Sequence, residues 1–187
     1  CRGLFYAPHG WRQVGCDASG LELRGLGAQL AYFDGGDYAK LVSTEGFDIH
    51  THNAKLFGIY DGQGEIEKRI REQAKTLIYA VLYGAGAQKL GTILNPSLNE
   101  RKQKQIGYET IETFYKNLPA IKQLKDKVDE RVLERGYLIG IDGRHLQIRS
   151  RHSALNQLLQ STGSLCVKKA TCILYEDLKV NKLRWGI

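Results

Sequence analysis

The chain has 187 residues, enough for one good-sized domain or parts of two. With 42% hydrophobic and 25% charged residues it can bury a core, which excludes wholesale disorder, and its formal charge of +7 favours an anionic partner such as nucleic acid. No apolar run approaches the ~20 residues of a membrane span, and no charged-then-apolar signal segment opens the chain. The four cysteines, Cys1, Cys16, Cys166 and Cys172, form no CxxC, so neither a zinc knuckle nor a disulfide framework is indicated. Reduced, mostly buried thiols in a cytosol-like compartment are expected. The absence of methionine and the ending "KLRWGI" suggest a piece of a longer protein.

A short strand is expected over roughly Gln13 to Asp17, ending at an aspartate. Ser19 and Gly20 then turn the chain into a helix from Leu21 to about Tyr32, with Leu23, Leu26 and Leu30 as its apolar stripe. "FDGGDYAKLVSTEGF" reads as a Gly-rich polar connection. Asp48 caps a short helix through "IHTHNAKLFG", which Gly58 ends. Gly62 and Gly64 precede a long helix containing "REQAKTLIYAVLYG", broken after Tyr83 by Gly84 and Gly86. Further helices are expected over about Ala87 to Leu94, Asn99 to Asn117 and Pro119 to about Arg135. "GYLIGIDGRHLQIRS" reads as a β-hairpin turning at Asp142-Gly143, and Ser153 to about Val180 as a long helix. The fold class expected is α+β, mainly helical, with helical material inserted into a mixed base.

The long central helix has an unusual stripe. Arg71, Lys75, Tyr79 and Tyr83 recur at steps of four, each advancing roughly 40° around the helix, so they share one flank. Ile70, Ala74, Leu77, Ile78 and Val81 form a separate, core-facing flank. The stripe fits either a solvated face or a surface for a polyanion with a ring at one end, cations for phosphates and phenols for a base or sugar.

Other residues carry chemistry of their own. Asp17 would be the only ionised group in its immediate stretch and could hold magnesium together with the Ala18 carbonyl, since that ion takes one or two carboxylates plus substrate phosphates. It could equally cap the following helix. Glu22 either serves the helix dipole or presents its carboxylate to whatever Asp17 holds. His50 sits two residues after Asp48, where an ordinary surface histidine is the alternative to a ligand-binding one. Asn156 and Gln160 share a helical face, with His152 a turn earlier, and uncharged amides in register can reach minor-groove acceptors. Arg144, Arg149 and Arg151 would suit phosphate contacts.

Taken in order, these segments resemble the family A DNA polymerases. "DASGLELR" looks like their motif A, D-x-S-x-x-E-L-R, and Arg71, Lys75, Tyr79, Tyr83 and Gly84 match the R-x-x-x-K-x-x-x-Y-x-x-x-Y-G pattern of motif B. "DIHT" and the run "IDGR…R…N…LLQS" are similar to further family segments. The wording is nearer to replicative polymerases of short-tailed bacteriophages than to bacterial DNA polymerase I.

The resemblance implies a partial right-hand fold. Residues 1–33 would be palm, 34–135 helical fingers and 136–187 palm again. It implies template-directed addition of deoxynucleotides to a primer 3′ end by a two-metal mechanism. Asp17 and the Ala18 carbonyl would hold Mg²⁺, two ions being bound in the complete enzyme. Arg71, Lys75 and His50 would hold the triphosphate, with Arg71 and Lys75 acting beside Asp17 in catalysis. Tyr83 would stack on a base, Glu22 would pack with Tyr83 to exclude a 2′-hydroxyl, and Tyr79 would place the chain in the dideoxynucleotide-tolerant branch. Arg144, Arg149, Asn156 and Gln160 would bind DNA. Primer-template DNA and dNTP are the implied partners, with a processivity factor on the thumb and no membrane, in the cytoplasm of an infected bacterial host.

The family's His-Asp-Glu strand, which carries the second catalytic aspartate, has no match, since none of the five histidines is followed by Asp-Glu. The chain is therefore expected to stop before that strand, and alone to be inactive or nearly so. A single-subunit RNA polymerase shares the motif B pattern, but Glu22 argues against it. A non-catalytic nucleic-acid-binding module is the rival from another class.

Overall fold

The computed structural model describes residues 6–182. The helices are α1 (Leu21–Asp34), α2 (Asp37–Ser43), α3 (Ile49–Leu56), α4 (Lys68–Leu82), α5 (Ala87–Leu94), α6 (Glu100–Asn117), α7 (Pro119–Arg135) and α8 (Ala154–Val180). Strands β1 (Tyr137–Ile139) and β2 (His145–Gln147) form an antiparallel hairpin with Leu138 opposite Leu146. The fold is thus mainly helical with one small sheet, as the periodicities predict.

Each apolar stripe goes where its spacing sends it. Leu23, Leu26 and Leu30 of α1 are essentially fully buried, as are Ala74, Leu77, Ile78 and Leu82 of α4. They join Ile121, Leu124 and Val128 of α7 and Leu155, Leu158 and Leu159 of α8 in one core. Burying each such leucine or isoleucine contributes about 1.5–3 kcal/mol before entropy is counted. Phe57, just past α3, stacks on Phe114 of α6 with ring centroids 4.2 Å apart, which ties the α3–α4 pair to α6.

Close approaches of backbone depend on glycine at several points. A Cβ on Gly91 of α5 would lie 1.8 Å from the Gln103 carbonyl oxygen, and one on Gly107 of α6 would lie 1.8 Å from that of Ala87. The α5–α6 pair therefore packs backbone against backbone. Its buried polar group is Gln103, which accepts from the Thr92 hydroxyl at 3.0 Å and donates to the Pro96 carbonyl at 3.2 Å. Another approach is at Gly84, where the His152 backbone presses on the end of α4.

Three expectations fail. Residues 13–17 form no strand, because a strand needs a neighbour for its backbone groups and no segment among the described residues pairs with them. The Gly-rich connection contains α2: the Asp34 carboxylate accepts from the Gly36 and Tyr38 amides at 2.8 and 3.1 Å and starts a turn that buried Tyr38 anchors. Tyr38 donates to Asn53 at 3.2 Å, and burial raises its phenol pKa. Finally, Cys16, Cys166 and Cys172 are exposed rather than buried, while Cys1 lies outside the described residues. The reason for the last two thiols is that α8 leaves the core after Thr162, so Val167, Ile173 and Leu174 are exposed as well.

Candidate active site

Asp17 lies in the exposed approach to α1, and it is not that helix's cap. Gly20 occupies the cap position, with no side chain bonding the first-turn amides. The carboxylate is left facing two adjoining clefts. One, of about 580 Å³, runs between residues 17–24, residues 42–50 and α4, and is lined by Asp17, Ala18, His50, Arg71, Lys75 and Tyr79 among others. The second, of about 760 Å³, is lined by Asp17, Ala18, Glu22, Tyr79, Gln160 and Lys168 among others. Asp17 and three members of the cationic-phenolic stripe, Arg71, Lys75 and Tyr79, more than fifty residues away in sequence, thus line one cleft.

The stripe survives as its spacing requires, because the core flank of α4 is buried and holds the opposite flank outward. Arg71 is not free at that surface. Its Nε donates to Asp48 Oδ2 at 2.6 Å and its Nη2 to Asp48 Oδ1 at 3.0 Å, a two-pronged ion pair. Asp48 also accepts from the His50 amide at 3.1 Å, the N-cap contact of α3, and from the Thr51 hydroxyl at 2.6 Å. Partial burial works to raise the Asp48 pKa, but the bonds from Arg71 and Thr51 outweigh it and hold the carboxyl at about 2. His50, half-buried beside them, has its pKa lowered by desolvation and then by the Arg71 charge, and its buried Nδ1 has no hydrogen-bond partner among the described residues. Lys75, one turn beyond Arg71, is exposed and has no ion-pair partner among the described residues.

In the second cleft Glu22 is a hub. Its Oε1 accepts from the Tyr83 hydroxyl at 2.8 Å and from the Gln160 amide at 2.7 Å, so the ends of α1, α4 and α8 converge on one carboxylate oxygen. That bond, with burial, raises the Tyr83 pKa; burial followed by the Glu22 charge raises that of Tyr79. The two rings lie 6.3 Å apart, tilted.

Other predicted site residues stand apart from both clefts. Arg144 folds onto Asp142 within the hairpin turn. Arg149 is exposed. Arg151 lies 3.7 Å from Asp129. Asn156 is partly buried, with an Oδ1 that lacks a protein partner. Three contributors were not singled out from sequence. Asp48 was read only as a helix cap, and no periodicity links it to Arg71, 23 residues on. Arg24 lines the first cleft from inside "DASGLELR", its Nε bonded to the Ser19 carbonyl at 3.0 Å. Lys168 lines the second cleft two steps of four beyond Gln160, a spacing that could have revealed it.

For a metal ion, Asp17 offers a free carboxylate and Ala18 a carbonyl at the meeting of the clefts. Among the described residues no group of three or more His, Cys, Asp or Glu side chains could enclose an ion. The donor set fits an oxygen-liganded cation that is shared with substrate, not a closed protein cage.

Against known proteins, the family model described as DNA polymerase family A matches residues 1–186. The DNA-directed DNA polymerases of Enterobacteria phage T3 and Escherichia phage T7 are each 37% identical over 204 residues, covering 97% of this chain and 26% of the relative. The thermostable DNA polymerase I of Thermus aquaticus is 29% identical over 191 residues, covering 95% of this chain and 22% of its own length. The chain therefore spans about a quarter of the length of these relatives. Among solved structures, the POL domain of Pol1 from M. smegmatis, in complex with DNA primer-template and dNTP, superposes with a TM-score of 0.71 at 21% identity, over 90% of this chain and 30% of that one. It supports the fold.

Proposed function

The chain belongs to DNA polymerase family A, and from that premise we propose that its joined clefts hold the incoming deoxynucleotide during template-directed DNA synthesis. The reaction is transfer of a deoxynucleoside monophosphate to a primer 3′ end with release of pyrophosphate. Residues 34–135 are the fingers of this polymerase, and 1–33 and 136–187 are parts of its palm. The observation that carries the reading is that Asp17 lines the same cleft as His50, Arg71 and Lys75.

The chemistry follows from the charges. Nucleotidyl transfer builds negative charge on the phosphates, so cations fixed there in advance lower the barrier. His50, Arg71 and Lys75 bind the triphosphate, and Lys75 can give a proton to the departing pyrophosphate, whereas a guanidinium cannot. Tyr83 carries the base or template position at the end of the stripe. Glu22, held by Tyr83 and Gln160, crowds a ribose 2′-hydroxyl and selects deoxynucleotides.

Family A polymerases are in general metal-dependent. Magnesium would be held by the Asp17 carboxylate and the Ala18 carbonyl together with the substrate phosphates. Such an ion supplies activation of the primer hydroxyl and charge neutralisation at the leaving group. Arg144, Arg149 and Asn156 contact primer-template DNA, with Gln160 reading the minor groove from α8. The named substrates of the M. smegmatis Pol1 complex, primer-template and dNTP, support these assignments. The phage polymerases among the relatives support synthesis inside an infected bacterial cell, with any processivity factor binding outside this chain.

The test is Lys75→Ala in the polymerase that carries this chain. Loss of one charge-stabilising group should cost about 3 kcal/mol in kcat/KM, read as single-turnover incorporation. An unchanged rate would overturn the reading.

A further inference from the structure

We infer that Asp48 is a positioning residue for the triphosphate cation Arg71, fixing the guanidinium before the nucleotide arrives. The inference rests on the polymerase reading above and adds a residue to it. Its observation is the two-pronged pair itself: Nε to Oδ2 at 2.6 Å and Nη2 to Oδ1 at 3.0 Å.

A free arginine side chain carries much rotamer entropy. If it were loose in the cleft, that entropy would be lost while the transition state forms. Asp48 removes the freedom during folding instead, which is the general advantage of a preorganised group. The guanidinium has five N–H donors. Asp48 engages two of them from one edge, and the remaining nearby acid, Glu72, is reached only at 3.4 Å by Nη1. Donors are thus left for a phosphate. Both side chains remain about a third exposed, 37% for Arg71 and 36% for Asp48, so the pair faces the cleft and not the core.

The same carboxylate sets a second distance. Its Oδ1 takes the His50 amide and its Oδ2 takes the Thr51 hydroxyl, so it fixes the first turn of α3. Asp48 therefore ties the turn that bears His50 to the turn of α4 that bears Arg71, with Lys75 one turn further on. A helix cap alone needs only the contact to the backbone amide, and asparagine makes that as well as aspartate does. The charge and the double acceptor are in excess of capping, and they are directed at Arg71.

This gives a clean variant. Asp48→Asn keeps the cap and removes the ion pair. If Asp48 had no link to Arg71, deleting a negative charge beside a triphosphate site would simply tighten nucleotide binding. Positioning predicts a different split. In the polymerase that carries this chain, Asp48→Asn should lower the maximal single-turnover incorporation rate about ten-fold, while the nucleotide Kd rises less than about three-fold. Asp48→Glu should restore part of the rate. In the double variant Asp48→Asn/Arg71→Ala, the rate should be no lower than in Arg71→Ala alone, because one residue acts through the other. A wild-type rate in Asp48→Asn, or losses that multiply in the double variant, would overturn the inference. A wild-type rate in Arg71→Ala would instead overturn the polymerase reading of this cleft.

Discussion

Gly84 offers a test of how the site is held together. It adopts φ +77°, and a Cβ there would sit 2.0 Å from the His152 carbonyl oxygen and 2.9 Å from its carbon. Those atoms are backbone, so no rotamer change can relieve the clash. Alanine must first accept the left-handed conformation, at about 1–2 kcal/mol, and then push aside the segment that leads into α8, at about 1–3 kcal/mol for overpacking. Gly84→Ala should therefore lose about 2–5 kcal/mol, a large part of the 5–15 kcal/mol typical of a domain. Gly25→Ala is the control. In α1 its Cβ would meet Thr162 and Leu159 at an ordinary 3.8 and 3.9 Å, and the helix should gain up to about 1 kcal/mol. The site should suffer as well as the fold, because the displaced segment carries Gln160 away from Glu22 while the end of α4 carries Tyr83. Urea unfolding reads the first effect, and the ratio of ribonucleotide to deoxynucleotide incorporation reads the second. A Gly84→Ala protein within about 1 kcal/mol of its parent would refute the account of this contact.

Glu22→Ala should raise ribonucleotide use relative to deoxynucleotide by roughly 10–200-fold, the range for one small steric difference in a pocket; equal discrimination before and after would remove Glu22 from the sugar site. His50, kept more neutral than usual by burial and by Arg71, should take up a proton as the triphosphate binds. Nucleotide affinity should then weaken as pH rises from below the ordinary histidine range, and a pH series on His50→Gln should show that slope abolished. Gly107→Ala should separate α5 from α6, since its Cβ would enter the Ala87 carbonyl, with a loss of about 1–3 kcal/mol or more in denaturant melts.

Much of this was legible because helices were the main currency. Periodic stripes in α1 and α4 report which face meets the core, and caps such as Asp48 and Pro119 report where the chain turns. What the periodicity could not report lies between elements. The strand expected at 13–17 does not form, because pairing is a property of two segments and a partner cannot be inferred from one. α2 was hidden because Gly35 and Gly36 mark a break, while the side chain that restarts the helix, Asp34, belongs to the element before. The thiols of α8 look buried by residue type, yet burial depends on what packs against the helix beyond Thr162. At the site, Arg71 and Glu22 were evident as charges. Their partners Asp48 and Gln160, at separations of 23 and 138 residues, follow only from how α1, α3, α4 and α8 come together.

Those partners explain why two cations one turn apart are not equivalent. Arg71 is bound at one edge, and its orientation is set by a carboxylate whose protonation would require pH near 2. It is suited to recognising a phosphate in a fixed place. Lys75 has no ion-pair partner among the described residues and sits on a flexible four-carbon stem. On the proposed reading it would follow charge as it moves from the triphosphate to the leaving pyrophosphate, and unlike Arg71 it could release a proton there. On the proposed reading, the arginine and the lysine one turn apart therefore divide the work: one group held in place in advance for the phosphates, and a flexible one that serves the departing pyrophosphate.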